Sequence, residues 1–381
     1  MKNLKKIIFG ITSLTLGGAE RVLVDTVNKL VEKYDITIFT LYSKGELEDQ
    51  VDRKVKLISM FNKKYTELSK KEKVLIPIKV LFNKKSIFKN YIDNEKYDVQ
   101  IAFLEGPVTR IFSVDSSNNV KKIAWIHNDI SKVFGKGIKS KIKRIIDRNA
   151  YEKYDTLVFV SMDNIDKFNK LYDDILLPKE KVIHNYINQE RILKLAEDTK
   201  EYKDFFNKKD LNIVQVSRLV EQKAIDRLIN VHSKLIKQGI KHHIYIIGDG
   251  PEKEKLEEQI KKLKVNGTFT LLGAIENPYP YIKRSDVFCL FSKYEGYPTV
   301  ITEAKILNKF IACTNSSARE ALQDYSDNSI IVENSEKGIE EAIKEIVKNK
   351  SKILNKKSEY VYTNQKIIDK IEKVFEEEGK K

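Results

Sequence analysis

The chain has 381 residues, 41% hydrophobic and 9% aromatic, and carries 70 Lys and Arg against 55 Asp and Glu for a net charge of +15. At roughly 150 residues per domain, this ordinary globular composition predicts two domains, each able to bury its own core. No apolar run approaches the 18 or so residues of a membrane span, while the basic excess admits nucleic acid, an anionic membrane surface or phosphorylated substrates as partners. The two cysteines, Cys289 and Cys313, fall in apolar runs without metal-ligand spacing, which points to buried free thiols in a reducing compartment.

Residues 6–12 read as a buried parallel strand, 14–18 as a loop, 19–32 as a helix with Val22, Leu23, Val27, Leu30 and Val31 inward, and 35–41 as the next strand. Lys2, Lys5 and Lys6 ahead of the apolar run, with Gly17-Gly18-Ala19 behind it, imitate a signal peptide. Cleavage there would delete the first strand of a βαβ unit, so the segment is read as structure. Its turn carries Gly17 and Gly18 but no G-x-G-x-x-G, so a dinucleotide fingerprint is absent. The paired glycines serve either a close backbone approach to a ligand or a tight turn needing positive φ.

Between residues 62 and 96 ten lysines meet four acidic residues, interleaved with aliphatics at helical spacing. Such a segment is either a solvated helical hairpin or a surface for an anionic bilayer. Strand-like runs follow at 98–104, 121–127 and 156–160, with His127 at the carboxyl end of the second, where open α/β sheets bind ligands. Alternatively, His127 is a satisfied core or surface residue. The helix at 138–151 is again basic, through Lys139, Lys141, Lys143, Arg144 and Arg148. Residues 183–187 close the first half, and 188–209 read as helix plus linker. From Leu211 the βα alternation restarts, with strands at 212–217, 242–247, 268–272, 287–291, 310–314 and 329–332, then helices to the end. Two consecutive parallel-sheet halves predict a cleft between them.

Lys293 to Ala304, KYEGYPTVITEA, follows the strand at 287–291. Pro298 suits the start of a helix, which places Glu295 on the loop and Glu303 about one turn in. The first-turn N–H groups around Thr299 and Val300 then face whatever lies above the strand, a geometry fit for a phosphate flanked by hydroxyls. Read alone, the two glutamates are a solvated loop residue and a helix-face residue; the strand, Gly, Pro and helix around them favour the site.

In order along the chain, Gly17-Gly18-Ala19-Glu20-Arg21, His127 in WIHN, Val216-Ser217-Arg218-Leu219 with Gln222-Lys223, Gly248-Asp249-Gly250-Pro251, and Glu295-Gly296 through Glu303-Ala304 resemble the retaining nucleotide-sugar glycosyltransferases of family 4. The resemblance covers nearly the whole chain and is nearest in type to bacterial enzymes of capsular, extracellular and cell-wall polysaccharides. It implies the α/β GT-B architecture: two Rossmann-like parallel-sheet domains facing a central cleft, with C-terminal helices returning to the N-terminal domain. The acceptor-binding domain would span 1–187, a linker 188–209, the nucleotide-sugar domain 210–358, and a crossing-back helix 359–381.

The resemblance also implies the roles. His127, Arg218, Lys223 and Glu295 would be catalytic; Gly17, Gly18, Gly296, Thr299, Val300 and Glu303, with Arg218 and Lys223, would bind the donor. Glu303 would hold the ribose hydroxyls, Glu295 the donor sugar, and His127 would orient the transferred sugar and the acceptor. One departure stands out: the family commonly has glycine after the Gln-Lys pair, whereas this chain has Ala224, and alanine does not adopt positive φ cheaply.

The chemistry agrees. No Asp-x-Asp occurs anywhere, so neither a metal nor another cofactor is expected. Arg218 and Lys223, five apart on one strand-to-helix loop, can supply fixed positive charge to the leaving phosphate; on their own they read as surface residues. Expected partners are a UDP-sugar, UDP being the common donor of the resembling group, a glycan or undecaprenyl-linked acceptor, and the cytoplasmic face of an anionic membrane, reached peripherally from a cytoplasmic protein. A nucleotide-sugar epimerase or hydrolase is the alternative on the same fold. Nucleic acid is disfavoured, since the basic clusters are interleaved with aliphatics rather than stacking aromatics.

Overall fold

Short apolar runs bounded by polar loops become strands buried on both faces, and the helices between them supply the crossovers that parallel pairing requires. The computed structural model describes residues 4–115, 120–133, 137–172, 178–198, 206, 209–356 and 360–379. The chain divides into two compact units, 1–187 with 364–381, and 188–363. Much of the expected linker lies outside the described residues, which do include the helix Gln189–Ala196.

The first unit holds seven parallel strands: β1 (Lys6–Ile11), β2 (Asp35–Tyr42), β3 (Lys56–Phe61), β4 (Val99–Ala102), β5 (Lys121–Ile126), β6 (Thr156–Phe159) and β7 (Lys179–Val182). Their order across the sheet is β3-β2-β1-β4-β5-β6-β7, so the direction of winding reverses between β1 and β4. The central strands are continuous buried apolar runs, as in Ile7, Ile8 and Phe9. The edge strands β3 and β7, KLISMF and KEKV, are not predicted from the sequence, because edge positions are half-solvated and carry lysine rather than an apolar run. At Gly10 of β1 a Cβ would lie 2.4 Å from the Phe112 ring, so the helix Pro107–Phe112 sits directly on the strand.

Residues 70–91 form one continuous helix rather than a hairpin. Ser69 and Glu72 close a capping box at its start, and Pro77 lies inside it. It buries Ile76, Val80, Ile87 and Phe88 and leaves Val74, Leu75, Ile78 and Phe82 in solvent, Phe82 at 81% exposure. The last helix, Gln365–Glu376, returns to this first unit. Phe375 packs edge-on against Phe9 and Tyr34, and Lys5 and Lys33 pair with Glu376 and Glu372 at 2.6 Å each. Burial of Ile368, Ile371, Val374 and Phe375 holds this helix; exposed ion pairs contribute little.

The second unit holds β8 (Leu211–Val216), β9 (His242–Ile247), β10 (Phe269–Gly273), β11 (Val287–Leu290), β12 (Phe310–Thr314) and β13 (Ser329–Val332), in the order β10-β9-β8-β11-β12-β13, all parallel. Winding reverses here between β8 and β11. Cys289 and Cys313 are buried free thiols, the latter pushed up to about 12 by burial.

Part of the lysine excess is internal. Lys122 donates to the carbonyls of Phe112 and Val114, Lys305 to Ala321, and Lys309 to Lys283 and Ser285. Each thus caps the carboxyl end of a short helix, where bare carbonyls and the dipole favour a cation. Desolvation lowers Lys122 and Lys309 to about 8.

A chain of neutral histidines crosses the second core. His242 Nδ1 donates to the Ile240 carbonyl at 3.0 Å, leaving its Nε2 to accept from His232 Nδ1 at 2.9 Å, while His232 Nε2 accepts from Thr268 Oγ1 at 2.8 Å. Both rings are fully buried, and desolvation holds His232 at about 3 and His242 at about 4. Because these values lie below the unfolded value near 6.5, stability is complete above that pH. It is lost on acidification, as the unfolded chain takes up protons that the fold refuses. From pH 7 to pH 5 the two rings should cost roughly 3–4 kcal/mol. Urea unfolding at both pH values should show that loss in the native chain and a much smaller one with His232→Gln and His242→Gln; equal losses would contradict the account.

Candidate active site

Where winding reverses, successive loops diverge and leave a crevice at the carboxyl ends of the strands. In the second unit those loops follow β8 and β11, and they carry Arg218 to Lys223 and Lys293 to Pro298. The turn after β9 lies against the first of them. A Cβ at Gly248 (φ 144°) would come within 2.0 Å of the Ser217 carbonyl oxygen, and one at Gly250 within 2.3 Å of that of Leu219. Leu219 N donates to the Asp249 carbonyl at 2.9 Å. Gly248-Asp249-Gly250-Pro251 therefore shapes the β8 loop from behind.

The two loops are joined by Lys223 Nζ and Glu295 Oε1, 2.6 Å apart, with side chains only 13% and 7% exposed. Lys223 is accordingly not a free cation; Arg218 is the exposed one and has no side-chain partner among the described residues. Gln222 Nε2 donates to the Tyr294 carbonyl at 2.8 Å, and Lys293 N to the Gln222 carbonyl at 2.8 Å. From the other side, Asn334 Nδ2 donates to the Lys293 carbonyl at 2.7 Å, and Arg227 Nη2 holds Asn334 Oδ1 at 2.8 Å. Sequence reasoning misses Arg227 and Asn334, since both act on backbone or side-chain atoms far along the chain. Ala224 adopts the left-handed conformation (φ 51°, ψ 37°), so the glycine-type turn survives the substitution.

Pro298 is the N-cap of the helix Thr299–Ile306. The N–H groups of Thr299 and Val300 open its first turn, where no intrahelical carbonyl reaches them. Glu303 is on that helix and only 6% exposed, and Gly296 lies half-buried on the loop before it. Lys305, two residues on, anchors the same helix to Ala321 and Asp324 and sits 4.5 Å over the Tyr360 ring.

In the first unit the diverging loops follow β1 and β4. Gly17 caps the helix Gly18–Leu30 with φ −150°, an extended conformation. The positive-φ turn weighed for Gly17-Gly18 is therefore not what the glycines provide, since neither has positive φ. A Cβ on Gly17 would lie 2.1 Å from Glu20 Oε2, so glycine leaves room at the helix start for that carboxylate.

His127 follows β5, 8% exposed, with its ring tilted over Phe103 at 4.7 Å and parallel to Trp125. Burial holds it down to about 3, so the imidazole is neutral, and its Nε2 lacks a hydrogen-bond partner among the described residues. A buried, neutral and unsatisfied ring nitrogen is poised for a ligand hydroxyl. Its backbone is fixed by a residue that sequence reasoning did not single out. Glu105 Oε1 accepts the N–H groups of His127 and Asn128 at 2.7 Å each, and Oε2 accepts Asn128 Nδ2 at 3.0 Å. Burial pushes the Glu105 carboxyl up, and these N–H groups oppose it. The one available signal was an acidic residue beside Gly106-Pro107 at a strand's carboxyl end.

No helix among the described residues is long and apolar enough to cross a membrane. Residues 196–367 match the family model of glycosyl transferases group 1. An uncharacterized glycosyltransferase of Methanocaldococcus jannaschii is 28% identical over 76% of this chain and 70% of its own. A Campylobacter jejuni alpha-1,4-N-acetyl-D-galactosaminyltransferase, whose name gives an undecaprenol-diphosphate-linked glycan as acceptor, is 26% identical over 86% of this chain and 84% of its own. Among solved structures, Anabaena HepE in complex with UDP and glucose aligns with a TM-score of 0.71 at 16% identity, covering 97% of this chain and 98% of that one. With two Rossmann-like parallel-sheet units of the GT-B kind, a group 1 match confined to residues 196–367, and relatives in bacterial glycan biosynthesis, the chain is a glycosyltransferase.

Proposed function

We propose that the chain is a metal-independent, retaining hexosyl- or N-acetylhexosaminyl-transferase that moves a sugar from a UDP-sugar to a lipid-linked, growing bacterial surface glycan. The observation that carries this is the buried Lys223–Glu295 pair on the loops where the second sheet reverses its winding. The UDP bound to HepE and the undecaprenol-linked acceptor of the Campylobacter relative lend support by similarity.

Departure of UDP leaves negative charge on the diphosphate while an oxocarbenium-like centre develops on the sugar. Arg218 offers an exposed guanidinium fork, and Lys223 a point charge held in place by Glu295. The N–H groups of Thr299 and Val300 add fixed dipoles, so stabilisation needs no rearrangement during the reaction. Glu303 takes the ribose hydroxyls. Glu295 keeps one oxygen on Lys223 and offers the other to a sugar hydroxyl. His127 supplies a neutral acceptor or donor to a hydroxyl of the transferred sugar or of the acceptor. No side chain is assigned as a nucleophile: the leaving phosphate takes the acceptor's proton on the same face, which retains the anomeric configuration.

Peripheral membrane attachment fits the first unit. Val74, Ile78 and Phe82, four residues apart on the helix Lys70–Tyr91, and Ile138, Ile142 and Ile145 on the helix Ile138–Tyr151 are all exposed. Both helices start at the carboxyl ends of strands, so these apolar rows lie towards the same edge of the sheet as His127. Lysines beside them suit anionic headgroups.

In buffer with EDTA, wild-type turnover should be unchanged. Glu303→Ala should raise the donor KM about tenfold with little change in kcat, whereas Glu295→Gln should lower kcat about a hundredfold; normal kinetics in both variants would remove the premise. Glu105→Ala should lower kcat about tenfold or more at constant donor KM by releasing the His127 backbone. Glu105→Gln, which still accepts both backbone N–H groups, should recover most of it, and a pure KM effect would refute this positioning role. Vesicle co-sedimentation should require anionic lipid, weaken in salt and fall several-fold in Ile78→Ser with Phe82→Ser. Equal binding to neutral vesicles at high salt would refute attachment.

A further inference from the structure

We propose that the first unit carries a second ligand site, for a phosphorylated carbohydrate, at the opposite end of its sheet from His127. A cavity of about 970 Å³ opens there between the last turns of the helices Lys70–Tyr91 and Ile138–Tyr151 and the residues after the helix Pro107–Phe112. Each of these segments leads into the amino end of a strand, whereas His127 and Glu105 follow carboxyl ends. The cavity is therefore separate from His127 and Glu105 of the same unit, and it rests on none of the roles assigned above.

Charge defines the first half of the ligand. Lys84, Lys85 and Lys89 of one helix and Lys153 beyond the other line the cavity, against Asp93 and Asp115. Asp115 lies 3.7 Å from Lys153, while Lys84, Lys85 and Lys89 have no ionic partner among the described residues. Lys85 and Lys89 stand four apart on a helix, a slightly repulsive arrangement that an anion between them would relieve. Behind the wall, the Lys122 ammonium lies 4.9 Å over the ring of Phe88, a lining residue, and donates to two carbonyls, so it adds positive potential without filling space.

Shape and polarity define the other half. The volume is at the upper end of small-molecule pockets, far more than one phosphate occupies. Asn90, Asn94 and Asn149 bring amides, each both donor and acceptor, which match sugar hydroxyls, and Phe88 and Ile146 give apolar surface for a ring face.

Isothermal titration of the full chain in saturating UDP, which keeps the donor pocket filled, would test the site with glucose 1-phosphate, its methyl phosphodiester, inorganic phosphate and glucose. Glucose 1-phosphate should bind, and Lys85→Glu with Lys89→Glu, both exposed positions, should weaken it at least about tenfold, while Glu303→Ala leaves it unchanged. Binding of the monoester alone assigns a free sugar phosphate; equal binding of the diester assigns a phosphodiester-bearing glycan. Unchanged affinity in the lysine variant, loss in Glu303→Ala, or no heat up to about 10 mM would overturn the site. Inorganic phosphate binding as tightly as glucose 1-phosphate would overturn the carbohydrate assignment.

Discussion

Each sheet is all parallel, so every strand must be reached by a crossover, and the winding must reverse somewhere if both faces are to be covered. It reverses between β1 and β4 in one unit and between β8 and β11 in the other. Loops on either side of a reversal leave in opposite directions, and only there does the sheet edge open. Gly17, Glu105, Arg218, Lys223 and Glu295 all lie on such loops, and His127 is on the next one along. The candidate site residues of each unit are therefore placed by topology before any side chain is chosen.

Charge is distributed in three ways that composition cannot separate. Some lysines are spent inside, where Lys122, Lys305 and Lys309 close helix ends. Others, Lys5, Lys33 and Lys181, pair with carboxylates at the end of the returning helix, which burial already holds. Others again stand exposed on the helices Lys70–Tyr91 and Ile138–Tyr151, beside exposed isoleucines and Phe82. That juxtaposition of aliphatic rows with lysine differs from the aromatic platforms that single-stranded nucleic acids require.

Legibility in the sequence followed burial and locality. Central strands could be read because both of their faces are covered and the apolar run is unbroken. β3 and β7 could not, since an edge strand looks like a polar loop until its partner is known. The loop motifs could be read because each is contiguous at a strand end. Glu105 and Asn334 could not, because their work consists of bonds to residues 22 and 41 positions away, respectively. Likewise the sequence shows Lys223 and Glu295 as separate charges, and only the fold shows that they are paired.

Ala224 shows how such a pair can outlast a substitution at the turn that aims it. The left-handed conformation costs alanine about 1–2 kcal/mol relative to its preferred states. That strain is over-determined by its surroundings. Lys223 N and Ala224 N close turns onto the carbonyls of Val220 and Glu221 at 2.9 and 3.2 Å, Leu219 is fully buried below, and Lys223 is tied to Glu295 beyond. Releasing the turn would break bonds worth more than the strain, so the backbone stays where a glycine would put it. Branching at Cβ would add a clash with the following carbonyl, whereas unbranched side chains are accommodated, as Lys44, Lys264 and Asn308 show at similar positive φ. The direction of Lys223 is thus set less by the residue at the turn than by the network that holds both of its ends.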